Sequence, residues 1–144
     1  MSLRPSSETV HASTVASGGR AVLICGPSGS GKSDLALRLI DRGWRLVSDD
    51  QTIVHRAGDR LRASAPATIA GKLEIRGIGI VELEHVDDVP VRLAVELTSE
   101  LQRLPDDARE RSILGVPVPL ISVDAMTASA AAKVVFALDR AAAS

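Results

Sequence analysis

"GPSGSGKSDLALRLI", residues 26–40, is the stretch on which the fold of this chain turns. Gly26, Gly31, Lys32 and Ser33 satisfy the pattern G-x-x-x-x-G-K-[ST] without a gap. An apolar run, Ala21 to Cys25, leads into it as a strand, and a helical pattern follows from Ser33 with Leu35, Ala36, Leu39 and Ile40 on one face. Gly43 is the expected C-terminal cap of that helix. Gly26, Pro27, Ser28, Gly29, Ser30, Gly31, Lys32 and Ser33 therefore read as a loop at a helix N-terminus. Its glycines let backbone amides approach an anion that the helix dipole also favours. In such a loop Lys32 reaches the β- and γ-phosphates and the Ser33 hydroxyl takes a place on Mg²⁺. Cys25, just before the loop, reads as a small buried residue.

Working outward, "WRLVSDD" (44–50) is the next strand and ends in two carboxylates, Asp49 and Asp50. A phosphate loop requires a carboxylate at the end of a neighbouring strand to hold its metal. Two adjacent ones permit a division of labour, one on the cation and the other accepting the proton of a hydroxyl nucleophile. Successive strand residues point opposite ways, so both face the phosphates only if the chain bends there.

On the N-terminal side, two β-branched runs flank Ser17, Gly18, Gly19 and Arg20 and predict a tight hairpin. If Gly18 and Gly19 make the turn, Ser17 pairs with Arg20, and counting outward sets His11 opposite Gly26. Residues 1–8 are polar and aperiodic and are expected to be disordered, leaving residues 9–144 as a single domain.

Beyond Asp50, "TIVHRAGDRLRAS" (52–64) predicts a hairpin turning at Ala57, Gly58 and Asp59. "KLEIRGIGIVEL" (72–83) reads as one strand interrupted by Gly77 and Gly79, and "VPVRLAVEL" (89–97) as another. The polar segment 98–112 suits an exposed loop, and the prolines of "LGVPVPLISV" (114–123) argue for an edge strand. Thr127 or Ser129 is the expected cap of a final alanine-rich helix running to Ala143.

Composition narrows the partners. Hydrophobic residues make up 45% and charged residues 24%, as in ordinary globular domains. A net charge of −1 provides no basic field, and Trp44 and Phe136 are the only aromatic residues on which bases could stack, so no nucleic acid is expected. No apolar run approaches a membrane span, and a cytoplasmic protein is expected. A lone cysteine excludes a disulfide framework within one chain.

Taken together, "VHAS" (10–13), residues 26–50, "KLEIRGIGIVEL" and "ILGVPVPLISV" (113–123) resemble, in the same order, the catalytic domain of the bacterial HPr kinase/phosphorylase. The phosphate loop alone is generic; the Asp-Asp pair after "RG" and the "EIRGIGI" block carry the resemblance. It implies an α/β fold related to that of phosphoenolpyruvate carboxykinase, a mixed sheet holding the phosphate loop with flanking helices. It further implies a short form without the family's N-terminal domain and a homo-oligomer, a hexamer in the family. The implied activity is ATP- and Mg²⁺-dependent phosphorylation of a serine on an HPr-type phosphocarrier protein, together with the reverse phosphorolysis, and pyrophosphate is a candidate second cofactor.

Residue by residue, the resemblance assigns Lys32 and Ser33 to phosphate and metal. Asp49 becomes the base toward the serine and the acid in reverse, Asp50 and Glu74 the metal side, and His11 the histidine beside the loop. Arg76 falls in the same block and is expected to steady phosphate or the protein substrate. One departure is plain: the family has a Gly-Arg-Asn segment before its last helix, whereas here "MTASAAAKVVFAL" (126–138) has no arginine. Lys133 offers a charge there but no bidentate fork. That loss bears most on the reverse reaction and motivates an alternative, a non-catalytic module sensing ATP or pyrophosphate. A small-molecule kinase is a third reading, for which "DDARERS" (106–112) is a faint candidate lid.

Overall fold

The strand β3 (Arg20–Cys25) lies in the interior of the main sheet in a computed structural model that describes residues 6–100 and 109–142. Its side chains alternate between two cores: Val22 and Ile24 enter one, Ala21, Leu23 and Cys25 the other. A strand covered on both faces has no use for polar alternation, which is why "AVLIC" is continuously apolar. Strand β2 (Ala12–Ser17) precedes it, turning at Gly18 (φ 60°) and Gly19 (φ 74°). Two successive positive φ values suit glycine and match the strand twist. The register runs from Ser17 opposite Arg20 to Ala12 opposite Cys25, as counted from the turn.

The remaining strands are β1 (Ser7–Val10), β4 (Arg45–Ser48), β5 (Thr52–Ala57), β6 (Arg60–Ser64), β7 (Lys72–Ile75), β8 (Gly79–Glu82), β9 (Val89–Leu97), β10 (Glu110–Ile113) and β11 (Val116–Val123). The main sheet runs β1-β5-β6-β9-β3-β2-β4, and β11, itself paired with β10, also joins β9. It is mixed: β9 lies parallel to both β3 and β11, and the other pairs in the sheet are antiparallel. At β9 the sheet divides, Val89 and Pro90 pairing with β6 and Ala94 to Leu97 with β11.

Two helices, α1 (Lys32–Asp41) and α2 (Ala130–Ala142), cover one face. Leu35, Ala36 and Leu39 of α1 meet Val134 and Leu138 of α2 over Val22, Ile24, Leu93 and Val95, all essentially buried. Removing any of these leucines to alanine would cost about 2–5 kcal/mol by the usual sum of lost transfer energy and cavity. Helix α1 stops at Gly43 (φ 98°), whose amide donates to the Ile40 carbonyl while the Trp44 amide donates to that of Leu39. These two bonds close a Schellman cap, and Trp44 packs into the same core as Leu39.

Several expectations are corrected. Ser7 and Glu8, placed in the disordered segment, belong to β1 and pair with His55 and Val54. "KLEIRGIGIVEL" is not one strand: Ile75 pairs with Gly79 across a turn, and β7 and β8 form a separate two-stranded sheet. Gly77 (φ 87°) and Gly79 (φ 115°) supply that turn. Of the loop expected at 98–112, residues 101–108 lie outside the described residues, and Glu110 to Ser112 are strand. Strand β11 is paired along its whole length, each half with one neighbour. Pro117 and Pro119 fall in the half facing β10, and pairing with β9 begins at Leu120. Ser129 precedes α2 and its carbonyl accepts the Lys133 amide; the expected end at Ala143 lies outside the described residues. Among the described residues no helix is long and apolar enough to cross a membrane.

Candidate functional site

The phosphate loop joins the end of β3 to the start of α1. The Ser30 amide donates to the Pro27 carbonyl at 3.1 Å, and the first helical bond runs from the Leu35 amide to the Gly31 carbonyl at 3.0 Å. Gly31, at the N-cap, has φ 100° and makes no side-chain cap, so the first-turn amides of α1 have no partner from that residue. Gly26 is required for space: a Cβ there would meet Ser30 Oγ at 2.6 Å and Leu97 Cβ at 3.3 Å. Ser30 Oγ is buried without a hydrogen-bond partner among the described residues, an unsatisfied donor inside the loop. Helix-end amides and an orphaned hydroxyl in a glycine-lined turn are what a phosphate group would satisfy.

Lys32 is only 5% exposed, and its ammonium donates to the carbonyls of Gly26 (2.9 Å) and Pro27 (3.1 Å). It also lies 3.6 Å from Asp50 Oδ1. The ammonium thus bridges the loop and the carboxylate pair.

Asp49 and Asp50 differ sharply. The Gln51 amide donates to the Asp49 carbonyl at 2.7 Å, and Asp50 has φ 65° in the left-handed region, so the chain bends immediately after β4. Both carboxylates then face the phosphate loop, as the sequence required. Asp49 is nearly buried. Its Oδ1 accepts the hydroxyls of Ser33 (2.7 Å) and Ser13 (2.9 Å), and its Oδ2 accepts the Glu74 amide at 3.1 Å. The Asp50 carboxylate is 54% exposed and meets His11 Nε2 at 2.8 Å.

Of the pair, Asp49 is the carboxylate that accepts the Ser33 hydroxyl, and Asp50 is the one open to solvent beside His11. The left-handed turn at Asp50 separates the two carboxylates, setting the second between His11 and the Lys32 ammonium.

Two other expected residues lie on β7 and in the turn that follows it. Glu74 reaches the site through its backbone amide, while its side chain is exposed. Arg76 stands exposed in the turn between β7 and β8, with no hydrogen bond or ion pair among the described residues. Ser13 was not anticipated: besides donating to Asp49 it accepts the Asp50 amide at 3.1 Å, so one buried hydroxyl orients both aspartates. Its only sequence signal is its place in the short run that follows His11.

Behind the loop, Arg111 Nη1 donates to Cys25 Sγ at 3.1 Å. Burial pushes the Cys25 thiol above its ordinary range, and the nearby Arg111 and Lys32 charges offset this only in part. Among the described residues no three His, Cys, Asp or Glu side chains are grouped to hold a metal ion by themselves. A cation here would take its protein ligands from Ser33 and Asp49 and the rest from phosphate oxygens and water, the usual arrangement for Mg²⁺.

Residues 4–143 match the family of the HPr Serine kinase C-terminal domain. An HPr kinase/phosphorylase of Prosthecochloris aestuarii (strain DSM 271 / SK 413) is 38% identical over 126 residues, 78% of this chain and 37% of that protein. One from Latilactobacillus sakei subsp. sakei (strain 23K) is 40% identical over 118 residues, 73% of this chain and 38% of the relative. Among solved structures, the Hpr(Ser) kinase/phosphatase from Coxiella burnetii superposes with a TM-score of 0.79 at 31% identity, covering 92% of this chain and 88% of that one. The fold is accordingly the phosphoenolpyruvate carboxykinase-like one that the resemblance implied. The chain spans about two-fifths of the length of the curated relatives it matches. With its phosphate loop, its aspartate pair and its mixed sheet, this chain belongs to the HPr Serine kinase C-terminal domain family.

Proposed function

We propose that this domain is an ATP- and Mg²⁺-dependent kinase that phosphorylates a serine of an HPr-type phosphocarrier protein. One observation carries the reading: a buried aspartate is fastened to the phosphate-loop serine while its neighbour stands open to solvent, paired with a histidine. A nucleotide holder needs the first carboxylate. Only a domain that moves a proton has use for the second.

In this reading Asp50, rather than Asp49, is the base. Its exposed carboxylate takes the proton of the incoming serine hydroxyl as the serine oxygen bonds to the γ-phosphorus and the bond to the β-phosphate oxygen breaks, leaving ADP. His11 orients Asp50 through the 2.8 Å contact. Lys32, released from the loop carbonyls, and the first-turn amides of α1 stabilise the charge spreading onto the phosphoryl oxygens. When bound, Mg²⁺ neutralises charge on the β- and γ-oxygens; Ser33 and Asp49 are the residues that would hold it, with Glu74 at the rim. Arg76, exposed on the β7–β8 turn, is assigned to the protein substrate.

Reversal would return the proton from Asp50 to the serine as inorganic phosphate accepts the phosphoryl group, giving pyrophosphate. The absence of any arginine between Arg111 and Arg140 leaves this direction the weaker one. The reading also entails a cytoplasmic location, HPr as partner, and a homo-oligomeric assembly. Against a module that only senses ATP or pyrophosphate stands the Asp50–His11 pair, which sensing does not require.

The test is transfer of labelled γ-phosphate from ATP, with Mg²⁺, to purified HPr, beside a Lys32→Ala control. Label on a serine of HPr that vanishes in the control supports the kinase. Tight ATP binding without transfer would overturn it in favour of the sensor.

A further inference from the structure

The segment between β11 and α2, residues 124–129, lies directly on the phosphate loop. A Cβ built on Gly31 would sit 3.1 Å from the Ala125 methyl, so Ala125 forms a wall against the residue that opens α1. Ala125 is buried and belongs to the same core as Leu35 and Leu39. The wall is a tight turn: the Met126 amide donates to Asp124 Oδ1 at 2.9 Å, and the Thr127 hydroxyl and amide donate to the Asp124 carbonyl at 2.7 and 3.1 Å.

What holds this turn in place comes from α1 itself. Arg38 Nη2 donates to the Ala125 carbonyl at 2.5 Å and Nη1 to the Thr127 carbonyl at 3.4 Å. The same guanidinium pairs with Asp34 Oδ2 at 3.0 Å, one turn back along the helix. Its Nε is buried without a hydrogen-bond partner among the described residues, so the side chain sits in the interface although one donor goes unsatisfied there. An unsatisfied buried donor is costly, and two carbonyl bonds from one planar fork are the compensating geometry.

We infer that Arg38 is a positioning residue for phosphate binding, an inference that rests on the nucleotide-binding reading above. The helix carries both the anion-binding end and the arginine that draws the Ala125 wall against it, so loop, wall and helix move as one body. Gly29 (φ 80°) and Gly31 (φ 100°) have left-handed conformations in a glycine-rich loop that is intrinsically floppy. A wall on one side restricts that freedom before the ligand arrives, and preorganisation of this kind appears as affinity.

The test uses inorganic pyrophosphate and Mg-ATP as probes, titrated by calorimetry against the whole chain well below its melting temperature. Arg38→Ala is expected to weaken both about three- to tenfold, through lost preorganisation, while kcat at saturating nucleotide changes less than KM. Arg38→Lys, which keeps one donor and the charge, should recover part of the loss. Amide hydrogen exchange at residues 29–33 should quicken in Arg38→Ala. The control is Val134→Ala, which opens a cavity in the same core as Ala125 but removes none of the Arg38 bonds. If Val134→Ala weakens the probes as much as Arg38→Ala, or if Arg38→Ala leaves affinity within twofold, the inference is overturned. If the wild-type chain binds neither probe, the nucleotide-binding reading fails first, and Arg38 with it.

Discussion

His11 and Asp50 stand 39 positions apart and meet at 2.8 Å, with the ammonium of Lys32 3.6 Å from the same carboxylate oxygen. Asp49, one residue earlier, shares none of this and is held by Ser33, Ser13 and the Glu74 amide. Adjacent carboxylates in such unlike surroundings should respond differently to the same substitution. Asp50→Asn is expected to lower turnover by about 10²- to 10⁴-fold, the usual worth of a general base, with ATP affinity kept. Asp49→Asn should instead raise the Mg²⁺ concentration needed for half-maximal activity. Steady-state kinetics across a Mg²⁺ series separates the two. Full loss at saturating Mg²⁺ in Asp49→Asn, with turnover surviving in Asp50→Asn, would restore the assignment that the resemblance made.

Ser13 carries a second prediction. Its buried hydroxyl donates to the Asp49 carboxylate and accepts the Asp50 amide. Hydrogen bonds to charged groups contribute about 1.5–3 kcal/mol each, and removal leaves the Asp50 amide without this partner. Ser13→Ala should therefore lower stability by about 2 kcal/mol and also lower kcat, since both aspartates lose their orientation. Urea denaturation beside a transfer assay reads both. A stability loss with kcat untouched would mean that the aspartates are held by other groups.

The parts of this fold that were legible in the sequence are those encoded within a few residues. The phosphate loop, the Gly18-Gly19 turn and the Gly43 cap each depend on a backbone conformation that a short motif specifies, and the hairpin count brought His11 to the loop. What escaped depends on tertiary geometry. The left-handed φ of Asp50, with its amide on the Ser13 hydroxyl of another strand, sets the two aspartates in unlike surroundings. No spacing reveals that. Nor does a serine in a β-branched run advertise itself as a ligand of two aspartates. The β7–β8 hairpin was missed because two glycines in an apolar run suit an interrupted strand as well as a turn.

Gly31 and Gly29 offer a comparison within one loop. Both have left-handed φ, and a non-glycine residue there costs about 1–2 kcal/mol from backbone sterics. Only at Gly31 would a Cβ also meet another side chain, Ala125 at 3.1 Å; at Gly29 nothing lies within 4 Å. Gly31→Ala should therefore destabilise the chain more than Gly29→Ala, and Ala125→Gly should return part of the difference for Gly31→Ala alone. Thermal melts of the single and double variants measure the coupling. Equal losses at the two glycines would remove the wall from the account.

Cys25 gives the pH prediction. Burial raises its pKa, and the Arg111 and Lys32 charges lower it less than burial raises it, so the folded thiol ionises above the ordinary value of 9.0. The unfolded chain, with its thiol in water, binds fewer protons than the folded one once the pH passes that ordinary value. Stability contributed by the neutral thiol is thus fully present below pH 9 and declines as the pH rises through the folded pKa, at no more than about 1.4 kcal/mol per unit. Cys25→Ala lacks this titration, so between pH 8 and pH 10 it should lose less stability than the wild type by urea denaturation. The same shift keeps the native thiol protonated and shielded, so iodoacetamide at pH 8 should modify the denatured chain far faster than the folded one. Identical alkaline losses in the two proteins, together with rapid native alkylation, would show that the thiol is neither neutral nor enclosed, and that the Arg111 contact holds a thiolate beside the phosphate loop.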